Sequence, residues 1–427
     1  MKKPGKTWML AGALGVIVAG VLCPACCRMV MPPPVRPLAL PDGLGRCFVI
    51  EPTSAVVPVT SEAATRSAAK ENMLLPGLPV AELAGPAAEM GRQAGELLAP
   101  QIRSMIRLVG VNPQFSVSKA ELALLAAGIA PEYLVELEAM AKAAGIERNR
   151  LVSANVALDT LCTVLACGAD GKGPVRVARN MDFFPAGVLG PTTILVVRKP
   201  PGRHAFAAVS WAGYGGVITG MNDAGVTVAI LQNRGSRKKA RIGMPIAFRA
   251  RQVLENAGTL AEAVVCFQAT PVASSHFLLI TDAKDACVLW QDEVGMFHRR
   301  NADNGWLAWS NGRPDAADRQ SDARADKLAA AITAAPESVT DTWLKEVITS
   351  VRLKTINAQV MLLKPDELSF ELARARPGHA AGTQPWLRVE LKRLLTGEEG
   401  QRDENRETSG TPGTSGTRNS SPASPRP

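Results

Sequence analysis

Between about residues 80 and 161, apolar residues recur at helical intervals. Three stretches carry the pattern: VAELAGPAAEMGRQAGELLAPQIRSMIRLV, the residues after Ser118, and PEYLVELEAMAKAAGIERNRLVSANVALDTL. In the last of these, Leu134, Leu137, Met140 and Ala141 share one helix face. At Cys162 the texture changes to short apolar runs, CTVLAC, VRVARNM, TTILVVRK, HAFAAVSWAG, VTVAILQN, SHFLLITD and CVLWQDE, separated by Gly, Pro, Asn and Asp. These predict strands. Helical patterns return from about Met244 to Phe267, from Asp315 to Ala334 and near Thr342, and AQVMLLKPDELSFELARA closes as a hairpin-like pair. Strands grouped with strands and helices with helices predict α+β layers rather than alternating βαβ units, and no repeat of solenoid or propeller period is present.

The two ends stand apart from this pattern. Lys2, Lys3 and Lys6 precede the apolar run WMLAGALGVIVAGVL, the charge order of a secretory signal or a short N-terminal anchor. About fifteen apolar residues are marginal for a hydrocarbon core of roughly 30 Å, which favours a cleaved signal over a permanent anchor. The expectation is export, with the protein periplasmic or anchored to a membrane through this segment. Cys23, Cys26 and Cys27 follow the run in a context that suits lipid attachment poorly. The chain then divides into a signal or anchor (1–30), a Pro/Ala/Ser-rich tether (31–79), a helical segment (80–161), a strand-rich body (162–400) and a polar, turn-forming tail expected to be disordered (401–427).

Composition narrows the chemistry. With 46% apolar residues the chain has material for a large core. Aromatics at 4%, and basic residues that never form a long run, argue against a nucleic-acid partner despite the net charge of +9. His204, His276, His298 and His379 are scattered, with no HExxH or paired CxxC, so neither a metal nor a cofactor is expected. The spacing of Cys47, Cys162, Cys167, Cys266 and Cys287 gives no disulfide framework.

One cysteine has unusual company. Cys162 lies where the helical half ends and the first strand begins, and Arg179, Asn180 and Asp182 follow in one short segment, ARNMDFFP. A buried core thiol is the ordinary reading of such a residue. The alternative is a nucleophile without a histidine. If the Leu161–Cys162 bond is cut, the new α-amino group, with a pKa of roughly 7.7 to 8.0, can act as base for the thiol on the same residue. A nearby Arg would favour the thiolate, and a carboxylate would position the ammonium form.

The runs CTVLACGADGKGPVRVARNMDFFP and SWAGYGGVITGMNDAGVTVAILQN resemble the N-terminal-nucleophile (Ntn) cysteine amidases. Within them the resemblance is to the acid ceramidase and N-acylethanolamine acid amidase group and to the acyl-coenzyme A:6-aminopenicillanate acyltransferase (peptidase C45) group. ELAGPAAEMGRQAGELLAPQI is similar to the helix that opens these precursors, with Gly91 and Gly95 at its small positions, and PEYLVELEAMAKAAGI to the next helix. The resemblance covers about Leu83 to Leu395. It implies a four-layer αββα sandwich with a helical N-terminal α segment, and autoproteolysis between Leu161 and Cys162 into chains that stay associated. It also implies hydrolysis of a linear non-peptide amide in a small molecule through an acyl-cysteine, with lipid-like fatty-acyl amides, acylated β-lactams, bile-salt conjugates and peptidic amides all open as substrates. An acyltransferase, or an inactive surface-tethered binding module on the same fold, is the alternative.

By the same resemblance Cys162 is the nucleophile, with Cys167 a rival that fits better as a buried neighbour on the strand. Arg179 and Asp182 hold the thiol and the amino group, against the alternative of a surface ion pair. Asn222 in TGMNDAG offers its backbone amide to the oxyanion, or is an ordinary turn asparagine. Asn311 is the oxyanion-stabilising side chain and Arg324 the distal arginine, although Arg313 or Arg319 could take the latter place. Trp211 and Tyr214 border the acyl pocket, or are core aromatics.

Overall fold

Gly85 and Pro86 decide where the first long helix begins. Gly85 holds φ at 104°, a conformation open to glycine, and Pro86 follows where a helix tolerates a missing N–H. The residues before them, which had predicted helix, are therefore a strand, Leu78–Ala84. This is β3, because two earlier strands, Leu38–Ala39 (β1) and Arg46–Ile50 (β2), pair onto it antiparallel. Part of the expected tether thus belongs to the folded body, with Cys47 and Leu40 buried. The computed structural model describes residues 33–41, 45–51, 77–111, 118–156, 161–233, 241–312 and 323–397. The signal run, the tail and the Arg313 and Arg319 candidates lie outside them.

Four helices follow: Ala87–Val111 (α1), Lys119–Ala127 (α2), Pro131–Ala144 (α3) and Arg148–Val156 (α4). The last two were read as one pattern, but Gly145 at φ 66° caps α3 in the left-handed conformation. Then come Leu161–Cys167 (β4), Arg176–Asp182 (β5), Ala186–Leu189 (α5), Ile194–Lys199 (β6), Phe206–Ser210 (β7), Thr219–Asn222 (β8) and Thr227–Leu231 (β9). The Met244–Phe267 pattern is two helices, Ile246–Asn256 (α6) and Leu260–Gln268 (α7), the second capped by Thr259. The chain ends through Phe277–Thr281 (β10), Ala286–Gln291 (β11), Phe297–Asn301 (β12), Trp306–Trp309 (β13), Ala323–Thr333 (α8), Asp341–Ser350 (α9), Asn357–Lys364 (β14), Ser369–Arg374 (β15), Leu387–Glu390 (β16) and Lys392–Thr396 (α10).

Two sheets result. The larger runs β1-β2-β3-β6-β7-β8-β9-β10-β11-β12 and the smaller β13-β4-β5-β14-β15-β16. All pairs are antiparallel except β3 with β6. Strands such as β9 and β10 are buried along their whole length, because one face meets the other sheet and the opposite face meets helices. On the outside, α1 lies on β2 and β3, α6 on β8 and β9, and α7 on β10 and β11; α8 and α9 cover β4 and its neighbours on the smaller sheet. The architecture is the four-layer αββα sandwich that the resemblance implied, with α1 to α4 preceding β4.

Close helix packing joins that leading segment to itself. A Cβ added at Gly91 would lie 2.1 Å from the Glu136 carbonyl oxygen, and one at Gly95 would lie 2.5 Å from Ala143 Cβ. Only glycine lets α1 approach α3 this closely.

Candidate active site

Strand pairing puts Cys162 opposite Met181 and Leu161 opposite Asp182. Side chains two apart on a strand share a face, so Cys162, Met181 and Arg179 all look toward the larger sheet. Arg179 crosses the space between the sheets. Its Nη2 lies 3.2 Å from Cys162 Sγ and donates to the Ile230 carbonyl at 3.0 Å, while Nη1 donates to Thr219 Oγ1. Cys162 is fully buried and Arg179 nearly so. The guanidinium is therefore fixed from both sheets, with Nη2 shared between the Ile230 carbonyl and the sulfur.

Asp182 faces the helices on the other side of β5. Its carboxylate accepts from Arg324 Nη1 at 3.2 Å, from Asn357 Nδ2 at 3.0 Å and from the Leu353 amide at 3.3 Å. Burial pushes this carboxyl up to about 6, against the lowering effect of those donors, the Asn357 bond first. Asn357 reaches it because β14 shifts register between Asn357 and Gln359.

Asn311 joins the two halves. Its Oδ1 accepts from the backbone N–H of Cys162 at 2.9 Å and from Arg324 Nη2 at 2.7 Å, and its Nδ2 donates to the Gln232 carbonyl at 2.7 Å. A continuous path runs Asp182, Arg324, Asn311, Cys162 amide, with the thiol of the same residue held separately by Arg179. Arg324 is largely buried, as its charge partner Asp182 requires.

Asn222 is placed elsewhere, and this corrects the oxyanion expectation. Its N–H donates to the Val226 carbonyl at 3.0 Å, its Nδ2 donates to Leu254 and Ala257 carbonyls, and its Oδ1 accepts from Val226 N–H at 2.9 Å. It closes the β8–β9 turn against α6, with its amide committed. Thr219, at the other end of β8, is the residue of that strand that reaches the site. Thr219, Asn357 and Gln232 went unnoticed in the sequence because their roles depend on pairing between distant strands, not on local pattern.

Trp211 and Tyr214 line an apolar cavity of about 550 Å³, counting its open mouth, together with Met105, Leu108, Phe183 and Ile218. Phe183 follows Asp182 and Ile218 precedes Thr219, so the wall continues directly from the site. Trp211 packs edge-on against Phe183 and its indole N–H donates to the Leu189 carbonyl at 2.9 Å. The Tyr214 hydroxyl is buried with no hydrogen-bond partner among the described residues.

Burial pushes Cys167 up to about 11 and Cys47 and Cys287 up to about 12, the range of unreactive core thiols. The histidines sit apart, His204 on Asp223 and His298 on Asp292. No cluster of His, Cys, Asp or Glu among the described residues could hold a metal ion.

The family profile of acyl-coenzyme A:6-aminopenicillanic acid acyl-transferase matches residues 169–304. The chain is 24% identical over 168 residues to the N-acylethanolamine-hydrolyzing acid amidase of Caenorhabditis elegans, covering 35% of this chain and 47% of that protein. It is 25% identical over 185 residues to the acid ceramidase of Rattus norvegicus, covering 37% and 46%. This chain resembles the Ntn cysteine amidases. The aligned part spans about half the length of each of these relatives. A solved structure of the Caenorhabditis elegans N-acylethanolamine-hydrolyzing acid amidase ortholog overlays 48% of this chain and 93% of its own, at 20% identity and a TM-score of 0.41.

Proposed function

We propose that this protein is an Ntn cysteine amidase that matures by cutting its own Leu161–Cys162 bond and then hydrolyses an N-acyl amide. The observation that carries the reading is the double hold on Cys162: Arg179 on its sulfur at 3.2 Å and Asn311 on its amide at 2.9 Å. A core cysteine needs neither.

In the first reaction Sγ attacks the Leu161 carbonyl carbon, the C–N bond breaks, and the proton leaving sulfur passes to the departing nitrogen. Water then hydrolyses the thioester, freeing the Leu161 carboxylate and restoring the Cys162 thiol, whose α-amino group the first step has already released. In turnover that amino group takes the thiol proton, the thiolate attacks the substrate carbonyl, the same proton is delivered to the leaving amine, and water then hydrolyses the acyl-cysteine to release the acid and restore the thiol. Arg179 stabilises the anionic sulfur. An amide nitrogen carries two hydrogens and Asn311 gives one to Gln232, so a second is available to an oxyanion. The cavity bordered by Trp211 and Tyr214 suits an apolar acyl group, and the N-terminal run supports an exported enzyme that meets lipid-like substrates.

The test is a denaturing gel of wild type and Cys162→Ala, with sequencing of the smaller-numbered end of the C-terminal fragment. Fragments beginning at Cys162 are expected from wild type alone. An active wild type that remains one chain would sink the proposal. The acyl-transferase family match favours one second reading, transfer of the acyl group to an amine. Supplying 6-aminopenicillanic acid with an acyl donor, and looking for the acylated product by mass spectrometry, separates it from hydrolysis.

A further inference from the structure

The loop that carries Trp211 and Tyr214 has no regular structure of its own. Three successive carbonyls in it are held from below by side chains that are each 1% exposed. Asn155 Nδ2 donates to Gly213 at 2.9 Å, Arg198 Nη2 to Tyr214 at 3.3 Å and Arg251 Nη1 to Gly215 at 2.8 Å; Asn155 Oδ1 also accepts from the Gly215 amide at 2.6 Å. Buried carbonyls need donors, so the path of this loop is set by these side chains.

The two arginines are in turn set by one carboxylate. Glu136, fully buried on α3, accepts from Arg198 Nε at 3.0 Å through one oxygen and from Arg251 Nη2 at 2.5 Å through the other. Arg251 also bonds Glu255 at 2.8 Å and stacks 4.4 Å from the Tyr133 ring, and Tyr133 bonds Glu255 at 2.8 Å. Burial alone would push the Glu136 carboxyl up, but the guanidiniums of Arg251 and Arg198 outweigh it and hold it below the usual range. Buried ion clusters add little net stability over apolar packing of the same volume. What this one supplies is geometry.

We propose that Glu136 is a positioning residue for the acyl cavity, acting through Arg198 and Arg251 on the Gly213–Gly215 carbonyls, with Asn155 as its partner on the same loop. This rests on the cavity being the acyl site. Glu136 and Asn155 both precede the Leu161–Cys162 bond, whereas the loop and the arginines follow it. The leading segment would therefore shape the substrate site of the body even after the chain is cut.

The probe is nitrobenzoxadiazole-labelled dodecanoic acid, titrated by fluorescence into the full chain. Wild type should bind saturably, and Glu136→Gln and Asn155→Ala should each raise Kd roughly tenfold or more, the worth of a charge-assisted or doubly held hydrogen bond. Leu344→Ala, a buried residue of α9 on the other sheet, is the control: its melting temperature should fall while its Kd stays at the wild-type value. Absence of saturable binding to wild type, unchanged Kd in both clamp variants, or equal weakening in Leu344→Ala would each overturn the proposal. A wild type that stays uncut while the clamp variants still lose affinity would refute self-cleavage and leave the clamp standing.

Discussion

The backbone amide of Cys162 donates to Asn311 Oδ1 across 2.9 Å, joining the bond proposed for cleavage to a side chain 149 residues further on. The oxygen of Asn311 and its nitrogen have separate tasks, and two substitutions separate them. Asn311→Asp keeps an acceptor for Cys162 and Arg324 but removes the N–H donors, and turnover should fall about a hundredfold or more, as for loss of one oxyanion donor. Asn311→Ala removes both contacts and should slow self-cleavage as well. Timed gels for cutting, and a panel of N-acyl amides for turnover, check the two effects.

Arg324 connects Asp182 with Asn311 through separate nitrogens. Lysine has one nitrogen and cannot bridge both at these positions. Arg324→Lys should therefore slow cutting and turnover nearly as much as Arg324→Met. Recovery of most of the wild-type rate by the lysine variant would show that only the charge matters.

Asp182 should leave a signature in stability. Its folded carboxyl is raised to about 6, above the usual value near 4, so the folded state holds the proton more tightly than the unfolded chain does. Its contribution is then fully present below about pH 4 and declines as pH rises toward 6, by about 3 kcal/mol at most. Chemical denaturation of Cys162→Ala at pH 4 and 6, with and without Asp182→Asn, isolates that component. A double variant that shows the same pH dependence as Cys162→Ala would refute the assignment.

Much of this was legible before the fold. Cys162, Arg179 and Asp182 lie within one strand-turn-strand unit, so their spacing of 17 and 20 residues carries their proximity. Asn311 and Arg324 required the family resemblance, since β13 reaches β4 only by a crossover that local pattern does not encode. Asn222 misled because NDAG is turn chemistry and a sequence does not show where the asparagine amide points; the bond from that amide to Val226 settles it. The start of α1 was misplaced because buried strand β3 is apolar without alternation and merges with the helical pattern beyond Pro86.

The glycines of α1 give a paired prediction about how the leading segment is held. Gly91 faces α3, where an added Cβ would meet the Glu136 carbonyl oxygen at 2.1 Å, a backbone atom that can yield only by shifting the helix. Gly110 lies on the same helix with nothing within 4 Å of the added atom. Replacing glycine with alanine inside a helix contributes up to about 1 kcal/mol from backbone entropy alone, and overpacking costs about 1 to 3 kcal/mol. Gly110→Ala should thus raise the melting temperature slightly, whereas Gly91→Ala should lower it by several degrees despite the better helix propensity. Displacing α3 also moves Glu136, so Gly91→Ala should weaken binding of the labelled dodecanoic acid while Gly110→Ala leaves it unchanged. If both variants melt above wild type, α1 and α3 are not in the close contact that the glycines permit.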